Sequence, residues 1–263
     1  MISHEIDYKI YGESVQLLEV ELDPNETVIA EAGTMVFMED GINFETKMGD
    51  GTKANSGFGE VVKSILKRVI SDESIFLTHF TNHGTLKAKV AFSSPIIGNI
   101  LGFDLTNYNN EIICQKGAFL CAALGTEVSI SLKSKIGPSL FGGEGFVMQK
   151  LKGDGRAFIQ AGGHLIKKEL KADEVLRIDT GCLVAMTSGI DLDIEKSGGL
   201  KNMIFGGEGL FLTTLTGSGT VWLQSSPFTR LANAVVSSST IAGGESKGEG
   251  SLLGGIADIF TDD

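Results

Sequence analysis

Residue types able to do chemistry are few in this sequence and poorly grouped. The histidines are His4, His79, His83 and His164. A metal-using β-helix enzyme holds its ion with a cluster such as a His-x-His pair, a Glu and a further His. Only His79 and His83 approach that spacing. In extended chain, at about 3.3 Å per residue, their Cα atoms lie about 13 Å apart, too far to share one ion. The four histidines are therefore expected at surface or turn positions, and no metal ligand set is read. The cysteines, Cys114, Cys121 and Cys182, are odd in number and lack paired ligand spacing. No Gly-x-Ser-x-Gly elbow or zincin helix is present.

Glycine-rich turns are the next candidates. Phe141 to Gly145 reads FGGEG, and Phe205 to Gly209 repeats it 64 residues later. A phosphate loop would continue with Lys-Ser/Thr into a helix whose N-terminus holds the anion. Here an apolar strand pattern follows instead, so the glycines are read as turn residues needing positive φ. Glu144 and Glu208 sit in these turns, and Glu73 holds the corresponding place upstream. Three such carboxylates facing a common axis could bind a cation; the simpler reading has each satisfying backbone donors in its own turn. No catalytic residue and no cofactor is read from the sequence, and the chain is expected not to be an enzyme.

The elements that carry these residues repeat. The 64-residue offset pairs Gly117 with Gly181, Gly125 with Gly189, Ile130 with Ile194 and Leu151 with Leu215, then Gly153 with Gly217, Gly155 with Gly219 and Gln160 with Gln224. A gapless register of that length indicates duplication. Under it Cys121 aligns with Ala185 and Cys182 with Ala118, an exchange typical of small buried side chains. A third, more diverged copy lies upstream. The units open as Leu22…Glu26-Thr27-Val28…Gly33, Leu105…Glu111-Ile112-Ile113…Gly117 and Leu170…Glu174-Val175-Leu176…Gly181, each followed by an apolar run. Within units the pattern is that of strands: Phe211 to Thr216 and Thr220 to Leu223 are β-branched and aromatic around a Gly turn.

The expected fold is thus all-β, with three β-sandwich or double-stranded β-helix units packed about a pseudo-threefold axis. The boundaries read as 1–98, 99–162 and 163–230, with a Gly/Ser-rich tail over 231–263 that ends in a short apolar segment. The first unit carries extra residues, and these contain one amphipathic helix over 60–70. Val61, Val62, Ile65, Leu66, Val69 and Ile70 fall on one half of its wheel, and Glu60, Lys63, Ser64, Lys67 and Arg68 on the other. The face containing Val62 and Leu66 either packs on its own β core or docks on another subunit or a membrane, with Lys63, Lys67 and Arg68 near lipid phosphates.

Composition narrows the class. With 42% apolar and 21% charged residues the chain is globular, and the net charge of −11 argues against nucleic-acid binding, which draws on basic surface. No apolar run of spanning length and no signal-peptide pattern is found, so a cytoplasmic location is expected.

The FGGEG turns with their apolar strands and Gly-x-Gly hairpins, the Glu73-Ser74-Ile75-Phe76-Leu77-Thr78 segment, and Glu26-x-Val28…Gly33-Thr34-Met35-Val36 resemble the altered inheritance of mitochondria protein twenty-four family and its bacterial relatives, over roughly Tyr8 to Leu231. The resemblance implies three units similar to the subunit of the trp RNA-binding attenuation protein, and for the mitochondrial members a link to inner-membrane organisation. The attenuation protein's RNA and tryptophan sites are not carried over, because no Lys/Arg recurs at equivalent positions here. The expected role is a non-catalytic scaffold or interaction protein, homo-oligomeric and peripheral to a membrane. The alternative is a small-ligand module using a cleft between repeats.

The helix reading has a direct test. If its apolar face packs internally, Val62→Asp with Leu66→Asp lowers the melting temperature and leaves association unchanged. If the helix serves a lipid surface, Lys63→Glu with Lys67→Glu abolishes co-sedimentation with anionic liposomes, and added salt weakens the wild-type binding.

Overall fold

The computed structural model describes residues 3–48, 75–94, 96–134, 145–196, 211–232 and 234–235. The helix read over 60–70, with Val62, Lys63, Leu66, Lys67 and Arg68, and the turn residues Glu73, Glu144 and Glu208 lie outside the described residues.

The chain is all-β. Its strands are β1 Asp7–Tyr11, β2 Leu17–Leu22, β3 Thr27–Ala30, β4 Met35–Met38, β5 Ile42–Met48, β6 Phe76–Asn82 and β7 Ala88–Phe92. They continue as β8 Gly98–Asp104, β9 Glu111–Gln115, β10 Phe119–Ala123, β11 Glu127–Ser134, β12 Phe146–Lys152 and β13 Arg156–Gly162. The last six are β14 Leu165–Leu170, β15 Val175–Asp179, β16 Leu183–Met186, β17 Ile190–Lys196, β18 Phe211–Gly217 and β19 Gly219–Gln224.

Four antiparallel sheets result. Their strand orders are β1-β2-β7-β4, then β5-β6-β3-β10-β13-β8, then β11-β12-β9-β16-β19-β14, then β15-β18-β17. The third sheet repeats the second strand for strand, six places further along the chain. Each of these two sheets is joined across a repeat boundary, through β3 with β10 in one and β9 with β16 in the other. Residues 1–227 accordingly form one compact body, and residues from Phe228 belong to a separate unit. In that unit 228–232 and 234–235 are helical.

Register and irregularities recur together. Ile112 opposes Leu151 as Leu176 opposes Leu215, and Val28 opposes Phe80 in the same place. A one-residue shift falls between Met35 and Phe37, between Phe119 and Cys121, and between Leu183 and Ala185. Asn25, Asn109 and Asp173 have φ of 70°, 55° and 67°, each three residues before Val28, Ile112 or Leu176. Asn and Asp tolerate this left-handed region because their short polar side chains bond locally. Beside them, the Glu26 carboxylate accepts from the Asp23 amide and the Glu174 carboxylate from the Lys171 amide. Glu111 was expected to match these two. It stands one residue further on, inside β9, where it pairs with Lys150, and Asn110 takes the turn position.

Three cores hold the layers. Leu18, Val20, Leu22, Val90 and Phe92 of the first sheet pack with Val28, Phe80, Leu120 and Phe158 of the second. Ile29, Phe103, Phe119 and Ile159 of the second meet Ile112, Leu151, Val184 and Trp222 of the third. Met148, Met186 and Val221 of the third meet Ile178, Ile190 and Leu215 of the fourth. The layer order is therefore first, second, third, fourth, and among the described residues no core is shared by the two outer sheets. Strand sequences follow this order. β2 (LLEVEL) alternates half-buried and buried residues, as an outer sheet requires, whereas β10 (FLCAA) is buried throughout because both its faces are covered.

A glycine pair explains one stretch of the repeat. A Cβ on Gly189 would lie 2.4 Å from the Ser218 carbonyl oxygen, and one on Gly217 (φ 120°) 2.4 Å from the Gly189 carbonyl oxygen. At Gly117 nothing lies within 4 Å of a built Cβ. Gly217→Ala is expected to cost about 1–3 kcal/mol through this clash and its backbone strain, and Gly117→Ala less than about 0.5 kcal/mol. Urea denaturation of the two variants checks the contrast.

Candidate functional site

Two strand edges break the regularity. In β10 and β16 every residue is buried, with hydrogen-bonded neighbours on both sides. Their counterpart is β4, which among the described residues pairs with β7 alone. Its four residues are all exposed and apolar: Met35 39%, Val36 55%, Phe37 39% and Met38 36%. At the other end of the layer order, β15 among the described residues pairs with β18 alone, while its counterparts β3 and β9 pair on both sides. β15 leaves Val175 55% exposed and Leu176 half-buried.

The other open edges are guarded. β1 carries Asp7 and Lys9, β5 Glu45 and Lys47, β8 Asp104, β11 Glu127 and Lys133, β14 Lys167 and Lys168, and β17 Asp191, Asp193 and Glu195. Charges on an edge strand oppose pairing with another chain, since a partner strand would have to desolvate them. β4 reads Met-Val-Phe-Met and has none. Among the described residues it is the one open edge without a charged side chain.

The chemistry-bearing residues take structural places. His79 lies in β6 and is buried, contrary to the surface or turn position expected, with Ile29 and Glu45 opposite it on either side. His4 accepts a hydrogen bond from the Thr27 amide through Nδ1 at 2.9 Å. His83 and His164 are exposed. No group of three metal-ligating side chains occurs among the described residues. The acidic trio Asp7, Glu21 and Asp23 is closed around Lys87 Nζ at 3.3, 3.0 and 3.3 Å. Hydrogen bonds to these carboxylates, Glu21 foremost, raise the Lys87 ammonium above its ordinary range.

The repeat's Gln pair is also structural. Gln160 Nε2 donates to the Gly117 carbonyl at 2.9 Å, and Gln224 Nε2 to the Gly181 carbonyl at 2.8 Å. Cys121 stands opposite Ala30 and Ala185 opposite Cys114, so the Cys/Ala exchange occurs within buried strands. Burial, with a smaller contribution from Glu31, pushes the Cys114 thiol up to about 12, and burial alone pushes Cys121 well above its usual value.

Sequence reading placed the apolar run of β4 with its buried counterparts and so missed its exposure. The pattern of types is the same in all three runs; what differs is the neighbour, which lies elsewhere in the chain. One trace is legible: the joined strands hold small residues, Cys121-Ala122 and Ala185, where β4 holds Phe37-Met38.

The arrangement defines a class: an all-β protein of shared antiparallel layers, with open edges of matching kind at its two ends. The sequence matches the family model described as Mitochondrial biogenesis AIM24 over residues 8–226, and the chain belongs to this family. It is 31% identical over 212 residues to an uncharacterized protein of Streptococcus pyogenes serotype M6, covering 80% of this chain and 81% of that one. It is also similar to a structural-genomics crystal structure of a Streptococcus pyogenes protein, with a TM-score of 0.70 and 24% identity, over 88% of this chain and 98% of the other. That likeness concerns the fold. No helix among the described residues is long and apolar enough to cross a membrane.

The raised thiols predict a titration result. With Ellman's reagent at pH 8 the folded protein should react at no more than one cysteine, Cys182, and the urea-unfolded protein at three. Stability should be unaffected by these groups below about pH 8 and fall as pH rises past 9, because the unfolded chain ionises where the native chain cannot.

Proposed function

We propose that the protein is a non-catalytic interaction scaffold that works as a homo-oligomer, its associating surface being the open edge of the first sheet. The observation that carries this reading is β4: four consecutive exposed apolar residues on an unguarded edge, in a position buried in both other repeats. These side chains are 36–55% exposed, so covering them contributes about half of the roughly 1.5–3 kcal/mol given by burying a fully exposed one. Backbone groups along an open edge add hydrogen bonds whose geometry selects an extended partner strand. The buried thiols, the structural role of His4 and the occupied acidic trio support a role without chemistry. Peripheral membrane contact is part of the proposal through the 60–70 segment, where Lys63, Lys67 and Arg68 supply the basic side.

Light scattering on a sizing column tests the reading. The wild-type protein should exceed the 27.9 kDa of one chain. Phe37→Asp should return it to one chain mass, with an unchanged far-UV spectrum. A wild-type protein that is monomeric at tens of micromolar would overturn the proposal.

A further inference from the structure

The two strands open on one side, β4 and β15, are counterparts of the two kinds of strand that pair at each internal joint. At the first joint Cys121 opposes Ala30, Ala122 opposes Ile29 and Ala123 opposes Val28. At the second, Ala185 opposes Cys114 and Met186 opposes Ile113, which is the same register moved on by one repeat. Each joint thus takes the strand after a repeat's shared Gly and sets it beside the strand before the preceding repeat's Gly. The chain does this twice. Among the described strands it is left with one of the first kind, β4, and one of the second kind, β15.

We propose that β15 of one copy of this chain pairs antiparallel with β4 of a second copy, in the register of the internal joints. Counting by the repeat, Phe37 of one copy stands opposite Ile178 of the other, Met38 opposite Arg177, and Glu39 opposite Leu176. The first sheet of one copy and the fourth sheet of its neighbour become a continuous sheet ordered β1-β2-β7-β4-β15-β18-β17. Apart from the added β1, this is the order of the second and third sheets read from the other end. The inference rests on the scaffold reading and supplies its partner.

The occupant is a second copy because the two strands stand at opposite ends of the layer order. β4 belongs to the first sheet and β15 to the fourth, and no core cluster contains residues of both. Composition fits the match. β4 brings Met35, Val36, Phe37 and Met38, and β15 brings Val175, Leu176 and Ile178, so apolar side chains meet on both faces of the new ladder. Arg177 and Asp179 are the charges β15 carries, and Glu39 follows β4 directly, so charges of both signs lie near the joint. Because the two surfaces differ, the contact is head-to-tail, and each copy keeps one edge available until a ring closes.

Cysteine pairing between full-length chains tests the register. The background is Cys182→Ala, the residue found at the counterpart position 118, so that the remaining native thiols are the buried pair. One preparation carries Met38→Cys and a second Arg177→Cys; both sites are exposed. Directly opposed residues place their Cβ atoms about 4.5–5.5 Å apart, and the closer, non-hydrogen-bonded kind of pair approaches the roughly 3.5–4.5 Å of a disulfide. Adjacent opposed pairs alternate between the wider and narrower kind, so Phe37→Cys with Ile178→Cys is run alongside.

On mild oxidation the mixed preparations should give a disulfide-linked dimer containing one chain of each kind, with at least tenfold less from either alone. A chain carrying both Met38→Cys and Arg177→Cys should give a ladder of linked multimers, and adding Phe37→Asp to it should abolish the ladder. A link confined within single chains of the double variant would overturn the proposal by showing that β4 reaches its own β15. Oligomers that persist on the sizing column without any mixed dimer would overturn it while leaving the scaffold reading in place. A monomeric wild-type protein would remove both.

Discussion

Hydrogen-bond satisfaction across the repeat boundaries is the constraint on which the rest of this fold depends. The central sheets are covered on both faces, so their backbone donors and acceptors have no water to turn to and must find partners in neighbouring strands. Within a repeat, the strand after the shared Gly and the strand before it each lack a neighbour on one side. The β3–β10 and β9–β16 ladders supply it. The repeats are therefore not beads joined by linkers. Each contributes half of a sheet completed by the next, and the three cores form between such composite sheets.

The same constraint explains why residues suited to chemistry are put to other uses. Cys114 and Cys121 sit where two ladders and two cores meet, and a small apolar side chain is what those positions need. Desolvation then keeps both protonated. His4 satisfies the Thr27 amide, at the start of a strand whose first residue would otherwise lack an acceptor. Gln160 and Gln224 do the same for the carbonyls of Gly117 and Gly181. In each case a polar side chain answers a backbone requirement created by the sheet order.

The all-β class was legible because the strand patterning behind it is local. Gly189 and Gly217 each sit where an added Cβ would meet a backbone oxygen at 2.4 Å, and the Gln160/Gln224 match reflects one hydrogen bond repeated. Less legible was the opening turn. Asn25, Asn109 and Asp173 share a left-handed conformation but not a residue type, so Glu111 was matched by type and fell one place out of register. His79 was expected at a surface or turn position because its spacing from His83 is too wide to share an ion, yet it is buried. β3 pairs with β10 and β9 with β16, whereas among the described strands β4 and β15 are not paired with each other. That outcome was out of reach of pattern reading, since the three apolar runs have equivalent local sequence and differ only in what lies beside them. Val62, Leu66 and the turn glutamates, the residues the sequence singled out for contact, lie outside the described residues; the candidate edge is elsewhere.

The one-residue shift shared by β4, β10 and β16 bears on a hazard that any chain with open apolar strands faces. A bulge bends its strand and increases the local right-handed twist. Flat, regular edges are the ones that stack without limit into cross-β fibrils, because each added strand meets the same plane as the last. Here the irregularity recurs at Val36, Leu120 and Val184, one position before the residues that meet the neighbouring strand at each joint. Every ladder built on such a strand starts from a kinked template, so growth is steered along a curved path and away from a planar fibril. A stickiness that would be dangerous on a straight strand is made tolerable by one extra residue.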